Sequence, residues 1–406
     1  MNDVRELSLD VLKGAVSGGA AALRCVVDLQ PAGGPGDKVF PPTYEGGAYA
    51  KEQRRIDGRE VQCVVLDSVA SQANRIELAL LRAYRRKQIT LPMIEVDFTG
   101  EPDLRDIGTI SVLEAPHRIA DAILRDAKLT DTPFRQTEVG RSFTNASVKD
   151  ASVLYQWCPT ALVLGMWDST GPKGGAGTKF ARCLVSEIVG YDAVTGIKSA
   201  SRIDPLQIQR NAGLLYETTD GRWTLDETLA KMDGKKPIKL GKDGKPSEAV
   251  HGNVTPTLTE GAGGVTISRA RLTTTISLPG LRRLHFPDKE GLNNEARNDA
   301  GRTVLAALGL CGAVLAHAEG LDLRSRCLLV PTAVVEWEVL GEPGLAPKRY
   351  RLSADGAREL LGSAAREAEA LKLSFAKAPL ILKPIPDLVT LVRKSRELAS
   401  SGQGAE

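Results

Sequence analysis

Aromatic residues are scarce: seven Phe, seven Tyr and four Trp make up 4% of the chain. A protein that grips RNA mainly by stacking bases on rings carries more of them. An RNA ligand would therefore be held chiefly through phosphate and 2′-hydroxyl groups. Histidine is scarcer still, with four in 406 residues. The six cysteines, Cys25, Cys63, Cys158, Cys183, Cys311 and Cys327, form no C-x-x-C pair. That spacing excludes a structural zinc site and predicts six reduced thiols. A large charge of one sign is missing too, since 53 basic residues face 50 acidic ones for a net +3. Any basic surface must be local. The most apolar segment, 303–318, is shorter than the roughly 20 residues of a membrane span and is interrupted by Gly309 and Gly312. Residues 1–10 are polar, with no signal core. The expectation is a cytoplasmic chain without internal repeats, neither exported nor membrane-inserted.

What is present alternates and coils in a recognisable order. Leu23, Cys25, Val27 and Leu29 alternate along 21–29, a strand pattern. A Gly/Pro-rich loop at 31–47 and a short strand or helix lead-in at 61–66 follow. Residues 67–88 read as a helix with Ile76 and Leu80 inward and a basic remainder. Further expectations are a helix at 114–128 with Pro116 in its first turn, and strands at 161–166 and 180–189. Residues 200–259 hold no period, and 231–245 is rich in Gly, Lys and Asp. Then come a long strand or hairpin arm at 265–278 and a helix at 293–318. A strand at 327–335 carries Pro331 at an edge or bulge, and an amphipathic helix covers 354–373. Dropping the irregular stretches leaves βαββαβ, an α+β, ferredoxin-like (RNA-recognition-motif-like) order with two large insertions.

Four segments attract attention as binding elements. The loop 168–179 is glycine-rich, with Lys173 and Lys179. Its spacing fits neither a Walker motif, because Gly-Thr-Lys replaces Gly-Lys-Ser/Thr, nor a dinucleotide fingerprint. No nucleotide cofactor is implied. An RNA-backbone cradle and a flexible hairpin tip both remain open. On the 67–88 helix, Ser68, Ser71, Gln72 and Arg75 share one polar face near the start, suited to phosphate or ribose or simply to solvent. Lys198 and Arg202 precede Pro205 in a charged turn. Arg282 and Arg283, with His285, follow the long strand.

Catalytic patterns are weak. G-x-S-x-G and H-E-x-x-H are absent. His117 and Asp121 lie four apart, and Asp97, Glu101, Asp103 and Asp106 read as an acidic loop. The aromatic RNA-recognition consensus is missing as well.

Three segments together resemble one family. They are Leu66-Asp-Ser-Val-Ala-Ser-Gln-Ala-Asn-Arg75, Ala115-Pro-His-Arg-Ile-Ala-Asp-Ala-Ile-Leu-Arg125, and Leu164-Gly-Met-Trp-Asp-Ser-Thr-Gly-Pro-Lys-Gly-Gly175 with Lys179, Phe180, Ser186 and Glu187. They are similar to the CRISPR-associated RAMP backbone subunit of the type I-U (I-G) Cascade complex, over residues from about 20 to about 340. The resemblance implies a hand-shaped protein: palm 1–90, finger insertion 91–160, central palm 161–199, thumb insertion 200–260, second part of the palm 261–375, and tail 376–406. It implies a non-enzymatic subunit without cofactor or metal. Copies would line up along a CRISPR guide RNA beside other Cascade subunits, leaving the guide to pair with target DNA. Ser71, Gln72, Asn74, Arg75 and the loop lysines would touch RNA backbone. The rival expectation is an RNA-processing endonuclease of related fold, with His117 or His285 as base.

Overall fold

The alternation at 21–29 becomes a central strand whose inward side chains Leu23, Cys25, Val27 and Leu29 are buried. The computed structural model describes residues 5–172, 174, 177–341 and 344–400. In chain order its first unit strings together α1 (Leu9–Ser17), β1 (Ala22–Pro31), β2 (Lys51–Ile56), β3 (Arg59–Asp67), α2 (Val69–Arg85), β4 (Leu184–Tyr191), β5 (Arg269–Ser277), α3 (Glu295–Ala318), β6 (Cys327–Pro331), β7 (Trp337–Leu340) and α4 (Ala354–Ala370).

The class is α+β, as expected. One ten-stranded sheet dominates, and its path runs β7, β1, β5, β4, β3, β2, with Lys348–Arg351 and Arg5–Glu6 beyond β7. β6 also pairs with β1, through Leu29↔Pro331. The β1–β5, β5–β4, β1–β6 and β1–β7 pairs are all antiparallel. Pro331 closes β6, where its missing N–H costs the ladder least. Helix α2 is launched from β3, not β1. The hairpin β2–β3 that adds this strand turns on Asp57-Gly58, both at positive φ (49° and 79°). That dipeptide is a two-residue hairpin signal.

Helix α3 spans 24 residues, close to the 293–318 expected. Among the described residues it is the one helix long and apolar enough to cross a membrane, yet 83% of its apolar window is buried in the fold. It packs on α1, α2 and α4. Gly312 sets the approach to α2, since a Cβ there would lie 2.6 Å from Ile76 Cγ2 and 3.1 Å from Leu80 Cδ1. At its start, Asn298 accepts from the Phe286 N–H (2.7 Å), and Arg297 donates to the carbonyls of Phe286, Leu371 and Lys372.

Three expectations are corrected. Of the strand expected at 161–166 only Met166 is extended: Pro159–Leu164 is a helix, with proline at its start and Gly165 (φ 80°) after it. All six of its residues are buried, and an apolar run without period suits either element. The helix expected at 114–128 shrinks to a 3-10 turn, Arg118–Ala120, and one α turn, Ala122–Arg125. Arg118 takes a left-handed φ of 55°, and Asp121 starts a new turn by accepting from the Ile123 N–H at 3.0 Å. That conformation lets the Arg118 guanidinium, 5% exposed, grip Glu77 of α2 bidentately at 2.7 and 2.8 Å and donate to the Gly165 carbonyl. Burial pushes the Glu77 carboxyl up, to about 7, against the pull of Arg118. Finally, the segment after 376 is no bare tail. Leu380–Pro384 is the middle strand of a five-stranded sheet with Ile94–Asp97, Thr109–Ser111, Ala127–Leu129 and Thr132–Pro133. The helix Pro386–Ser400 runs past Leu398.

The second unit is built on Val194–Val265. Val194–Arg202 pairs with Val254–Thr266, and two short hairpins lie between them in the chain. The expected arm at 265–278 is therefore two strands, broken between Thr266 and Arg269.

The Gly312 contact yields a prediction. Gly312→Leu should lower unfolding free energy by about 1–3 kcal/mol through overpacking. Urea melts would show a reduced midpoint, and an unchanged midpoint would remove Gly312 from the α2–α3 approach.

Candidate nucleic-acid interface

The polar start of α2 is organised around Asp67, the last residue of β3 and fully buried. Its carboxylate accepts from Ser71 Oγ (2.7 Å), Gln72 Nε2 (2.7 Å) and Arg75 Nε (2.9 Å). Arg324 lies 3.5 Å away and also donates to the Leu66 carbonyl at 2.8 Å. Gln72 is 2% exposed, and its carbonyl oxygen accepts from Ser186 Oγ of β4 at 3.0 Å. Arg75 spends a second donor on the Leu323 carbonyl. Ser68 caps the helix through the Ser71 N–H. Three of the four residues expected to meet RNA thus face a buried carboxylate, which needs such donors to remain charged in the interior. Asn74 alone of the four is exposed.

The glycine-rich segment is the loop of a small hairpin, Met166–Trp167 against Lys179–Phe180. Met166 and Phe180 point inward and are buried, while the facing pair Trp167 and Lys179 points out. Lys179 Nζ lies 5.0 Å from the centroid of the Trp167 ring, within cation–π reach. Asp168, 2% exposed, is clamped bidentately by Arg135 at 2.5 and 2.7 Å. Its N–H donates to the Thr178 carbonyl. Two glycines owe their identity to this packing. A Cβ at Gly171 would fall 2.2 Å from Asp168 Oδ2, and one at Gly177 would fall 2.0 Å from the Asp168 carbonyl. Lys173 lies outside the described residues.

The remaining sites separate. Arg282 is spent on the C-terminal end of α1 and the turn after it, donating to the carbonyls of Ala15, Val16 and Ala20 at 2.7–3.0 Å. Arg283 is exposed beside it in sequence. Lys198 is exposed on Val194–Arg202 in the second unit, where Arg202 sits 3.4 Å from Asp204.

Sequence reasoning missed the outward face of the main sheet. Arg271 pairs with Asp28, Arg54 with Glu187, and Arg24 with Glu338, each at 2.7–2.8 Å. Arg269 and Arg271 both lie over the Tyr191 ring, at 5.1 and 5.9 Å. The signal was present: Arg24 and Asp28 occupy the outward positions of β1, and Arg269 and Arg271 those of β5. Hydrogen-bonding and Coulombic pull from Arg271 hold the Asp28 carboxyl below its ordinary value.

Catalytic candidates gain little company. The His117 ring is exposed, and it is the His117 backbone N–H that reaches Asp121, at 3.0 Å. His285 faces Asn298 at 3.4 Å. Burial pushes His317 down to about 4. The six cysteines are free and buried. Burial raises the thiols of Cys158 and Cys183 to about 11 and those of Cys25 and Cys311 to about 12, which suppresses thiolate at neutral pH. Among the described residues no three His, Cys, Asp or Glu side chains gather as a metal site.

Residues 23–195 match the family model for CRISPR-associated protein GSU0053 (Cas_GSU0053). The matched stretch runs from β1 through the glycine hairpin to the end of β4, and all three motif segments fall inside it. This likeness points to a CRISPR-associated family and a part in CRISPR defence. No curated protein matches the chain.

The geometry separates structural cations from available ones. Asp67→Ala should lower stability by about 3 kcal/mol, because it strands buried donors. Lys179→Ala should stay within about 0.5 kcal/mol of the parent. Chemical denaturation of both variants checks the contrast, and equal losses would contradict it.

Proposed function

We propose that the chain is a non-catalytic guide-RNA-binding backbone subunit that oligomerises along CRISPR RNA and presents it for pairing with target DNA, as in type I-U (I-G) Cascade. The observation that carries this reading is the family match over residues 23–195, which contains every motif behind the sequence resemblance. The sheet supports it. With β1, β4, β5 and β6 counted first to fourth, the order is fourth, first, third, second, all antiparallel, with α2 after the first and α3 after the third. That order is compatible with a ferredoxin-like palm.

Electrostatics support backbone recognition over base reading. The net charge is small and many arginines are internally paired, so RNA is held by local cations such as Lys179, Lys198 and Arg283. Contacts of that kind neutralise phosphates without selecting sequence. Several copies on one strand gain avidity while the near-neutral chain limits mutual repulsion. The other partners on this reading are further copies of the chain and the remaining Cascade subunits.

Binding of labelled single-stranded RNA to the full chain, measured across a salt series, tests the proposal. Affinity should fall roughly tenfold between about 50 and 200 mM salt, and the RNA should remain full length. Failure to bind at low salt would overturn the proposal. So would cleavage that disappears in a His117→Ala/His285→Ala variant, which would favour the endonuclease reading.

A further inference from the structure

Trp167 stands out against the expectation that phosphate and 2′-hydroxyl contacts dominate. The side chain is 50% exposed, in a chain with only four tryptophans. Leaving so large an apolar surface in water is costly unless something covers it. The nearest exposed large apolar side chains along the chain, among the described residues, are Val148 and Val185, each smaller than an indole. The core of a protein–protein contact carries neighbouring apolar side chains that exclude water around an aromatic anchor. The ring of Trp167 instead meets an ammonium, Lys179 Nζ at 5.0 Å.

The backbone on either side of the ring is also anchored before any ligand arrives. Trp167 is directly followed by Asp168, which Arg135 clamps on both oxygens and which bonds through its N–H to Thr178. Thr178 Oγ1 in turn donates to the Thr144 carbonyl at 2.9 Å. On the other side, Gly165 (φ 80°) has no room for a Cβ, which would sit 2.6 Å from Arg182 Cγ. A backbone fixed in this way adds little ordering cost on binding.

We infer that Trp167 is a stacking platform for one unpaired nucleobase, with Lys179 taking the adjoining phosphate. This rests on the RNA-binding reading above and adds to it a contact with a base face. Stacking of this kind tolerates any base, because each has a π-face. It is compatible with a guide whose sequence the protein does not read.

The full chain would be titrated with two labelled probes of equal length, an oligouridine and an abasic ribose-phosphate strand. Trp167→Ala should weaken oligouridine binding roughly tenfold and leave the abasic strand's affinity unchanged. Trp167→Phe should retain most of the oligouridine affinity, and Lys179→Ala should weaken both probes. Thermal melts establish that the variants fold. An equal loss on both probes from Trp167→Ala, or no loss on either, would overturn the stacking role while leaving RNA binding intact. Failure of the parent to bind either strand would remove both the RNA reading and this inference.

Discussion

A fully buried carboxylate, Asp67, ties the sheet and its first long helix together. It stands where β3 becomes α2, and it draws on Ser71, Gln72, Arg75 and Arg324. Through Gln72 and Ser186 the tie extends to β4, and Ser186 Oγ meets Thr274 Oγ1 of β5 at 2.8 Å. An ionised group in the interior is tolerated only when its lone pairs are filled, so the donors around it are committed. The same logic applies to Asp168 with Arg135 and to Glu77 with Arg118. Many of the most suggestive arginines are the fold's internal counter-ions. Other cations, Lys179, Lys198 and Arg283 among them, stay exposed and open to a polyanion.

This division explains how much could be read beforehand. Long elements with one period, β1, α2, α3 and α4, were legible because alternation or a 3.6-residue stripe needs no knowledge of partners. The helix Pro159–Leu164 was not, because burial on every side erases period. The 114–125 stretch defeated its helical pattern because Arg118 adopts a left-handed backbone to reach Glu77, a partner 41 residues away. The strand Leu380–Pro384 was hidden because its neighbours, Ile94–Asp97 and Ala127–Leu129, are distant in sequence.

The candidate site shows the same limit at the scale of single side chains. Helical spacing placed Ser71, Gln72 and Arg75 on one face correctly, but the face turned toward Asp67 rather than solvent. Spacing reports which residues share a side and says nothing of what lies opposite. The glycines of the 168–179 loop suit either an RNA-backbone cradle or a flexible hairpin tip by sequence. At Gly171 and Gly177 they are room for Asp168. Trp167 was passed over because overall aromatic scarcity argued against stacking. Composition averages over the chain, whereas one exposed ring beside an ammonium is a local fact.

On this account the RNA path follows the Trp167–Lys179 hairpin, and the start of α2 is closed. Ultraviolet cross-linking of single-stranded RNA to the intact chain, followed by mass mapping of the joined peptides, tests that division most directly. Adducts should concentrate on the peptide containing Trp167 and Lys179. Adducts confined to Ser71, Gln72 and Arg75, with that hairpin unmarked, would contradict it.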